Sequence, residues 1–165
     1  MFIVRPISAA DDAAAAGRVV QHAYFALAEY PRDVLYDCVL GDVAGRANQA
    51  TVLVAVDACG GPAVLGCLTF VPDCANPHSE QTDAHAASFR YFGVAAAAAG
   101  QGIGRAMVTW CVTEARRLGK KRLRIHTLTM MHGAQKLYAD MGFVRDPSCD
   151  ADWDGVIGWA YVLHL

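Results

Sequence analysis

The chain has 165 residues, 55% of them hydrophobic and 18% charged, and a formal net charge of −2. It is long enough for one domain with its own core and too apolar for a disordered segment. The slight negative charge excludes broad, charge-driven nucleic-acid binding but leaves room for a local basic patch. The cysteines are Cys38, Cys59, Cys67, Cys74, Cys111 and Cys149, and no two have the close spacing of zinc ligands, so no metal is expected. Cys59, Cys67 and Cys111 lie in or beside apolar runs and read as buried free thiols. Arg5 interrupts the start of the chain before an apolar signal segment can form, and no uncharged run is long enough for a membrane span. A cytoplasmic protein without a membrane partner is the expectation.

Residues 2–7 read as a first strand. Ser8 and Asp11 form a candidate capping pair, followed by Val19, Val20, Ala23, Tyr24 and Leu27 at helical spacing, in a helix that stops before Pro31. A second helix covers residues 33–40 and ends at Gly41, whereas residues 43–49 carry no clear pattern. Residues 51–56 and 63–71 read as strands joined by a turn at Cys59-Gly60-Gly61-Pro62. The segment 72–87 is a long polar loop with Asp73, His78, Glu80, Asp83 and His85, of the kind that often carries function.

A strand through Phe89, Tyr91 and Val94 comes next, then glycines at positions 100, 102 and 104, then an amphipathic helix with Ile103, Met107, Trp110, Cys111 and Leu118 on one stripe. Gly119 ends that helix, and residues 122–129 form a strand with Leu123, Ile125 and Thr127 on one face. A short helix over residues 133–141 carries Leu137 and Tyr138 and stops at Gly142. Strands at residues 144–146 and 156–163 flank a loop with Asp150, Asp152 and Asp154. The order β-α-α-β-β-β-α-β-α-β-β fits a single α/β domain, a mixed sheet with helices on both faces.

The stretch 88–104 has the order strand, glycine turn, helix start. The first turn of a helix leaves backbone N–H groups unpaired at the positive end of the helix dipole, and glycines remove the side chains that would hold a ligand away. The expectation is a phosphate site built from main chain. Gly100-Gln101-Gly102-Ile103-Gly104 does not match the spacing of the dinucleotide fingerprint, no acidic residue stands at the place that fingerprint requires, where Lys121 and Arg122 lie instead, and no G-K-[ST] closes a nucleotide P-loop.

Val94 through Gly104 resembles motif A of the GNAT N-acetyltransferases. Ala134-Gln135-Lys136-Leu137-Tyr138, followed by Gly142-Phe143, is similar to that family's A-x-x-L-Y-x-x-x-G-F segment, and the N-terminal IVRPISAADDAAAA resembles its first strand and helix. The resemblance implies the GNAT fold, with a mostly antiparallel mixed sheet, and acetyl-CoA as cosubstrate without a metal. It places the pyrophosphate on the backbone N–H groups of Gln101, Gly102, Ile103, Gly104 and Arg105, with Ala99 and Gly100 also among the cofactor-binding positions. The pantetheine arm would lie on main chain near Phe92 and Val94. The acetyl group would pass by direct attack to a primary amine of a small molecule, amino acid or peptide, with Tyr138 acting on the leaving sulfur. A homodimer is a family-level expectation.

Ala99 stands where the family prefers Arg or Gln, Ala96 where it has proline, Met131 where many members have asparagine, and Ser88 where related chains often carry a glutamate base. The base is therefore open between Glu80, Asp83, His85, a water and none. Tyr138 also reads as a core tyrosine and Arg105 as a surface arginine. His126 and His132 read as structural histidines, and the acidic residues 146–154 as a solvated turn or a lure for a cationic amine. A non-catalytic acyl-CoA-binding or sensor module is the alternative.

Overall fold

The computed structural model describes residues 1–61 and 63–165. The elements are β1 (Phe2–Pro6), α1 (Ala13–Phe25), α2 (Val34–Gly41), α3 (Val43–Ala47), β2 (Thr51–Asp57), β3 (Val64–Val71), β4 (Ala86–Val94), α4 (Ile103–Arg117), β5 (Arg122–Leu128), α5 (His132–Asp140), β6 (Val144–Arg145), β7 (Ala151–Trp153) and β8 (Val156–His164). The strands form one sheet in the order β1-β2-β3-β4-β5-β8-β6, with β7 also on β8. Among the described residues only β4 and β5 pair in parallel; the other pairs are antiparallel.

Two elements exceed the sequence reading. Residues 43–47 form α3, and the acidic segment contains β7. α1, α2 and α3 each begin at an aspartate, Asp12, Asp33 and Asp42, whose carboxylate accepts a first-turn N–H at 2.8–2.9 Å. The cap of α1 is thus Asp12 rather than the Ser8–Asp11 pair. Asp11 instead accepts from the Ser8 N–H and from both terminal nitrogens of Arg5. α1 ends at Phe25, well before Pro31, and β4 begins at Ala86, shortening the long loop. The proposed turn at residues 59–62 holds Gly60 at φ 87°, while its Pro62 lies outside the described residues.

Helices cover both faces. α1, α2 and α3 bury Ala16, Val20, Leu40 and Val43 against Val52, Val54 and Cys67, and α4 and α5 bury Ile103, Met107, Cys111 and Tyr138 against Leu53, Leu68, Phe89, Leu123 and Ile125. Leu53 and Ala55 face one layer and Val52 and Val54 the other, which is why β2 is apolar throughout. Leu118, assigned to the buried stripe of α4, follows the helix and is 39% exposed; Val108, Val112 and Ala115 complete the stripe. Cys67 and Cys111 are buried as expected, but Cys59 is exposed because β2 ends at Asp57 and the chain turns there. Among the described residues no cluster of His, Cys, Asp or Glu could hold a metal ion, and no helix is long and apolar enough to cross a membrane.

Arg46 of α3 is the largest fully buried side chain. It donates to the carbonyls of Val39 and Leu40 and to Thr69 Oγ1, and its guanidinium lies 4.5 Å from the centre of the Tyr91 ring. Truncation would leave these acceptors buried without a donor and open a cavity. Arg46→Ala is expected to lower unfolding free energy by about 3 kcal/mol, read as a lower urea midpoint. An unchanged midpoint would show that Arg46 does not tie α3 to the sheet.

Two irregularities of β4 shape the centre of the molecule. Arg90 pairs with Thr69 and Gly93 with Cys67, so Tyr91 and Phe92 together oppose Leu68 in a bulge. Tyr91 takes φ 51°, a left-handed conformation that costs a non-glycine residue about 1–2 kcal/mol. Strict alternation would send Tyr91 to the side of Phe89; the bulge instead turns it toward α1, while Phe92 and Val94 face α4. The second irregularity is that β4 and β5 pair only at Ala86–Arg122 and Ala87–Leu123. Beyond those residues the strands part, leaving one edge of β4 open. Gly93 allows α1 close to that strand: a Cβ there would lie 2.9 Å from Val20 Cα.

Candidate active site

The glycine turn sits beside the end of β4. Gly100 and Gly102 have φ 75° and 83°, and Gly102 caps α4 without any side-chain hydrogen bond, unlike the aspartate caps of α1, α2 and α3. Among the described residues the backbone N–H groups of Gly100, Gln101, Gly102, Ile103, Gly104 and Arg105 meet no protein acceptor; the helix ladder starts with Ala106 donating to Gly102. A row of free N–H groups at the positive end of a fifteen-residue helix suits a multiply charged phosphate group.

This turn forms one end of a groove of about 450 Å³, lined by Ala23, Phe92, Gly93, Val94, Ala98, Ala99, Gly133, Ala134 and Leu137 with the glycines. Ala99, where the family prefers Arg or Gln, contributes wall and main chain only. The Ala95 N–H donates to Leu65 of β3 at 2.8 Å, so alternation sends the Val94 N–H, and two residues back that of Phe92, to the edge vacated by β5. Gly104 faces the groove: a Cβ there would come within 3.3 Å of Leu137 and Phe92. Arg105 is exposed on the first turn of α4.

Tyr138 of α5 is 4% exposed, in an aromatic layer with Phe89, Phe143 and Tyr161 at centroid distances of 5.8, 5.5 and 6.2 Å. Its hydroxyl has no hydrogen-bond partner among the described residues, and it lines neither the groove nor the cavity described next. Burial pushes the phenol above its usual range, so it is protonated at neutral pH.

On the opposite side of β4 lies a cavity of about 420 Å³. Neighbouring residues divide between the two spaces: Ala23 and Phe92 line the groove, Tyr24 and Tyr91 the cavity. The wall is aromatic, from Tyr24, Tyr30, Tyr36, Tyr91 and Trp153, and the polar groups gather at Glu80, Arg90 and His126. Glu80 is ion-paired to Arg90, which also donates to the His78 carbonyl at 3.0 Å. Burial raises the Glu80 carboxyl above its usual range, against the opposing pull of Arg90 and His126.

Of the three side-chain candidates for a base, the structure brings only Glu80 to the cavity. Asp83 is held by Arg122, whose hydrogen bond lowers its carboxyl below the usual range, and His85 is exposed. Residues from segments 24–36, 72–87 and 146–155 meet here. Three of the four aspartates of that last segment have structural partners. Asp150 binds Arg145 and the Ala160 N–H, Asp146 binds Ser148 and lies 3.4 Å from Arg124, and Asp152 accepts from Gly155. His132, read as a structural histidine, is exposed and its side chain has no hydrogen-bond partner among the described residues, whereas the His126 side chain is 6% exposed and lines the cavity. Arg90 was missed by the sequence reading; its signal is a charge in the middle of an otherwise apolar strand.

The model of the acetyltransferase (GNAT) family matches residues 19–143, and the chain belongs to that family. Solved structures agree on the fold. A GCN5-related N-acetyltransferase from Kribbella flavida superposes with TM-score 0.73 at 26% identity, over 99% of this chain and 98% of that one. The protein yncA of Salmonella typhimurium, solved with its cofactor acetyl-CoA, gives 0.69 at 22% identity over 99% and 94% of the two chains. An acetyltransferase of the GNAT family from Staphylococcus aureus Mu50 gives 0.71 at 11% identity over 100% and 99%. No curated protein sequence matches the chain at a significant level.

Proposed function

We propose that the protein transfers the acetyl group of acetyl-CoA to a primary amine bound in the aromatic cavity. The observation that carries this reading is the line formed by the free N–H groups of Gly100–Arg105, the groove, and the unpaired edge of β4, ending beside a second, aromatic cavity. Family membership and the acetyl-CoA found in the Salmonella relative support the choice of ligand.

Acetyl-CoA supplies an acetyl group activated as a thioester. The backbone N–H groups of Gly100, Gln101, Gly102, Ile103, Gly104 and Arg105 bind the pyrophosphate, with Ala99 as wall and the Arg105 side chain close enough to add charge. The open edge of β4 at Phe92 and Val94 holds the pantetheine amides as a neighbouring strand would, and the Val94 N–H donates to the oxygen on which negative charge develops. Tyr138 lines neither space, but it follows Leu137 of the groove and acts electrostatically on Tyr24 of the cavity; from there it gives its phenolic proton to the departing sulfur, a role suited to a protonated hydroxyl without a partner among the described residues. The aromatic walls hold the body of the amine and exclude water.

Acetyl-CoA at about a hundred times its Kd is expected to stabilise the fold by about 2.7 kcal/mol, a Tm rise of roughly 5–10 °C, while NAD gives none. Thiol release that depends on an added amine separates the enzyme from an acyl-CoA sensor of the same fold. A Tm unmoved by millimolar acetyl-CoA would refute the ligand. A Tm shift without thiol release across amines, amino acids and peptides would favour the sensor.

A further inference from the structure

His126 sits on β5 with Leu128 and Arg124, on the face opposite Ile125 and Thr127. Its Nε2 lies 2.8 Å from the carbonyl oxygen of Cys149. A carbonyl can only accept, so Nε2 carries the hydrogen. In the neutral ring Nδ1 then holds the lone pair, and it is Nδ1 that lies 3.7 Å from Glu80 Oε2. The Trp153 ring packs at 5.7 Å, edge to face, and fixes the imidazole plane. The other Glu80 oxygen is engaged by Arg90, which holds the carboxylate in place as a counter-charge beside the ring. The same cavity also holds Tyr24 of α1, Tyr30 and Asp33 before α2, Tyr36 of α2 and Tyr91 of β4, while Arg124 stands on the same face of β5 and Asp150 follows the Pro147–Cys149 turn.

We infer that His126 Nδ1 is the proton acceptor for the incoming amine, with Glu80 as the anion that stabilises the resulting imidazolium and Arg90 as the residue that positions Glu80. The inference rests on the cavity being the acceptor site. An ammonium gives one proton to Nδ1, and the freed nitrogen lone pair forms the bond to the acyl carbon. The electron pair of the broken carbon–sulfur bond leaves with sulfur, which takes the Tyr138 proton. The second proton lost by the nitrogen restores the Tyr138 phenol, and the proton on His126 passes to solvent, so each turnover releases one proton. Glu80 thus returns to this face of β4 the carboxylate that Ser88 lacks, one step behind a histidine.

The test is the pH profile of kcat/KM with an amine that the wild type acetylates, for His126→Gln and Glu80→Gln, alongside the Tm shift with acetyl-CoA. Gln keeps an N–H for the Cys149 carbonyl. His126→Gln is expected to lose the acidic limb of the profile and about a hundredfold in kcat/KM at neutral pH, with the acetyl-CoA shift retained. Glu80→Gln is expected to keep the acidic limb and to lose only part of the rate, because the ring that accepts the proton is still present. Three results overturn the assignment. In the first, His126→Gln has wild-type rate and limb. In the second, Glu80→Gln abolishes the limb while His126→Gln only moves it, which makes Glu80 the base. In the third, the wild type acetylates no amine at all, which also refutes the proposed function. Should His126→Gln fail to fold, Glu80→Gln decides alone: loss of the acidic limb in that variant overturns the assignment.

Discussion

Tyr138→Phe is expected to lower kcat about a thousandfold while leaving the Kd for acetyl-CoA unchanged, as for a group whose interaction is made only in the transition state. The ring is held by Phe89, Phe143 and Tyr161, and phenylalanine keeps every one of those contacts. Because the hydroxyl has no partner among the described residues, its removal strands no buried group and stability should be nearly unchanged. The substitution therefore isolates one proton. Turnover at saturating donor and amine, with calorimetric titration of acetyl-CoA, checks it. Wild-type turnover in the variant would return Tyr138 to the role of a core residue.

Gly102→Asp is expected to abolish acetyl-CoA binding, with an affinity loss of at least about a hundredfold and a folded protein. Gly102 is exposed with φ 83° and nothing lies within 4 Å of where its Cβ would stand. The left-handed conformation costs an ordinary residue about 1–2 kcal/mol, and aspartate is among those that tolerate it. The fold has room for the side chain, and a negative charge at the positive end of α4 does not oppose it. For the ligand the same carboxylate stands where the pyrophosphate is to bind, so like charge meets like charge. Circular dichroism would show the retained fold and a thermal scan the lost response to acetyl-CoA. A full response in this variant would move the phosphate site away from the glycine turn.

The two substitutions test the parts of the molecule most legible in the sequence, for a common reason. A glycine turn and a helix start depend on local backbone chemistry, and residues 94–104 and 134–143 carry both in contiguous form. The layered core was legible too, since the apolar runs of β2 and β3 report burial on both faces. What stayed out of reach depends on contacts between distant segments. The cavity joins Tyr24 and Tyr36, Glu80, Arg90, His126 and Trp153, which no spacing rule connects. The bulge that turns Tyr91 into it arises from pairing with β3 and leaves no mark in a strand read alone. Asp83, His85 and Glu80 looked alike in one polar loop; only the positions of Arg122 and Arg90 distinguish them. β7 was hidden because it is three residues long and lies within an acidic segment, and its pairing with β8 supplies what its composition does not.

The most direct test of the central claim is product analysis. Purified protein is incubated with acetyl-CoA and a panel of primary amines, and both the free thiol and the acetylated products are quantified by mass spectrometry. The account predicts an N-acetylated amine formed in equal amount to the thiol, with both lost together in Gly102→Asp. Thiol released at the same rate without any amine, or no acetylated amine from any member of the panel, would contradict it.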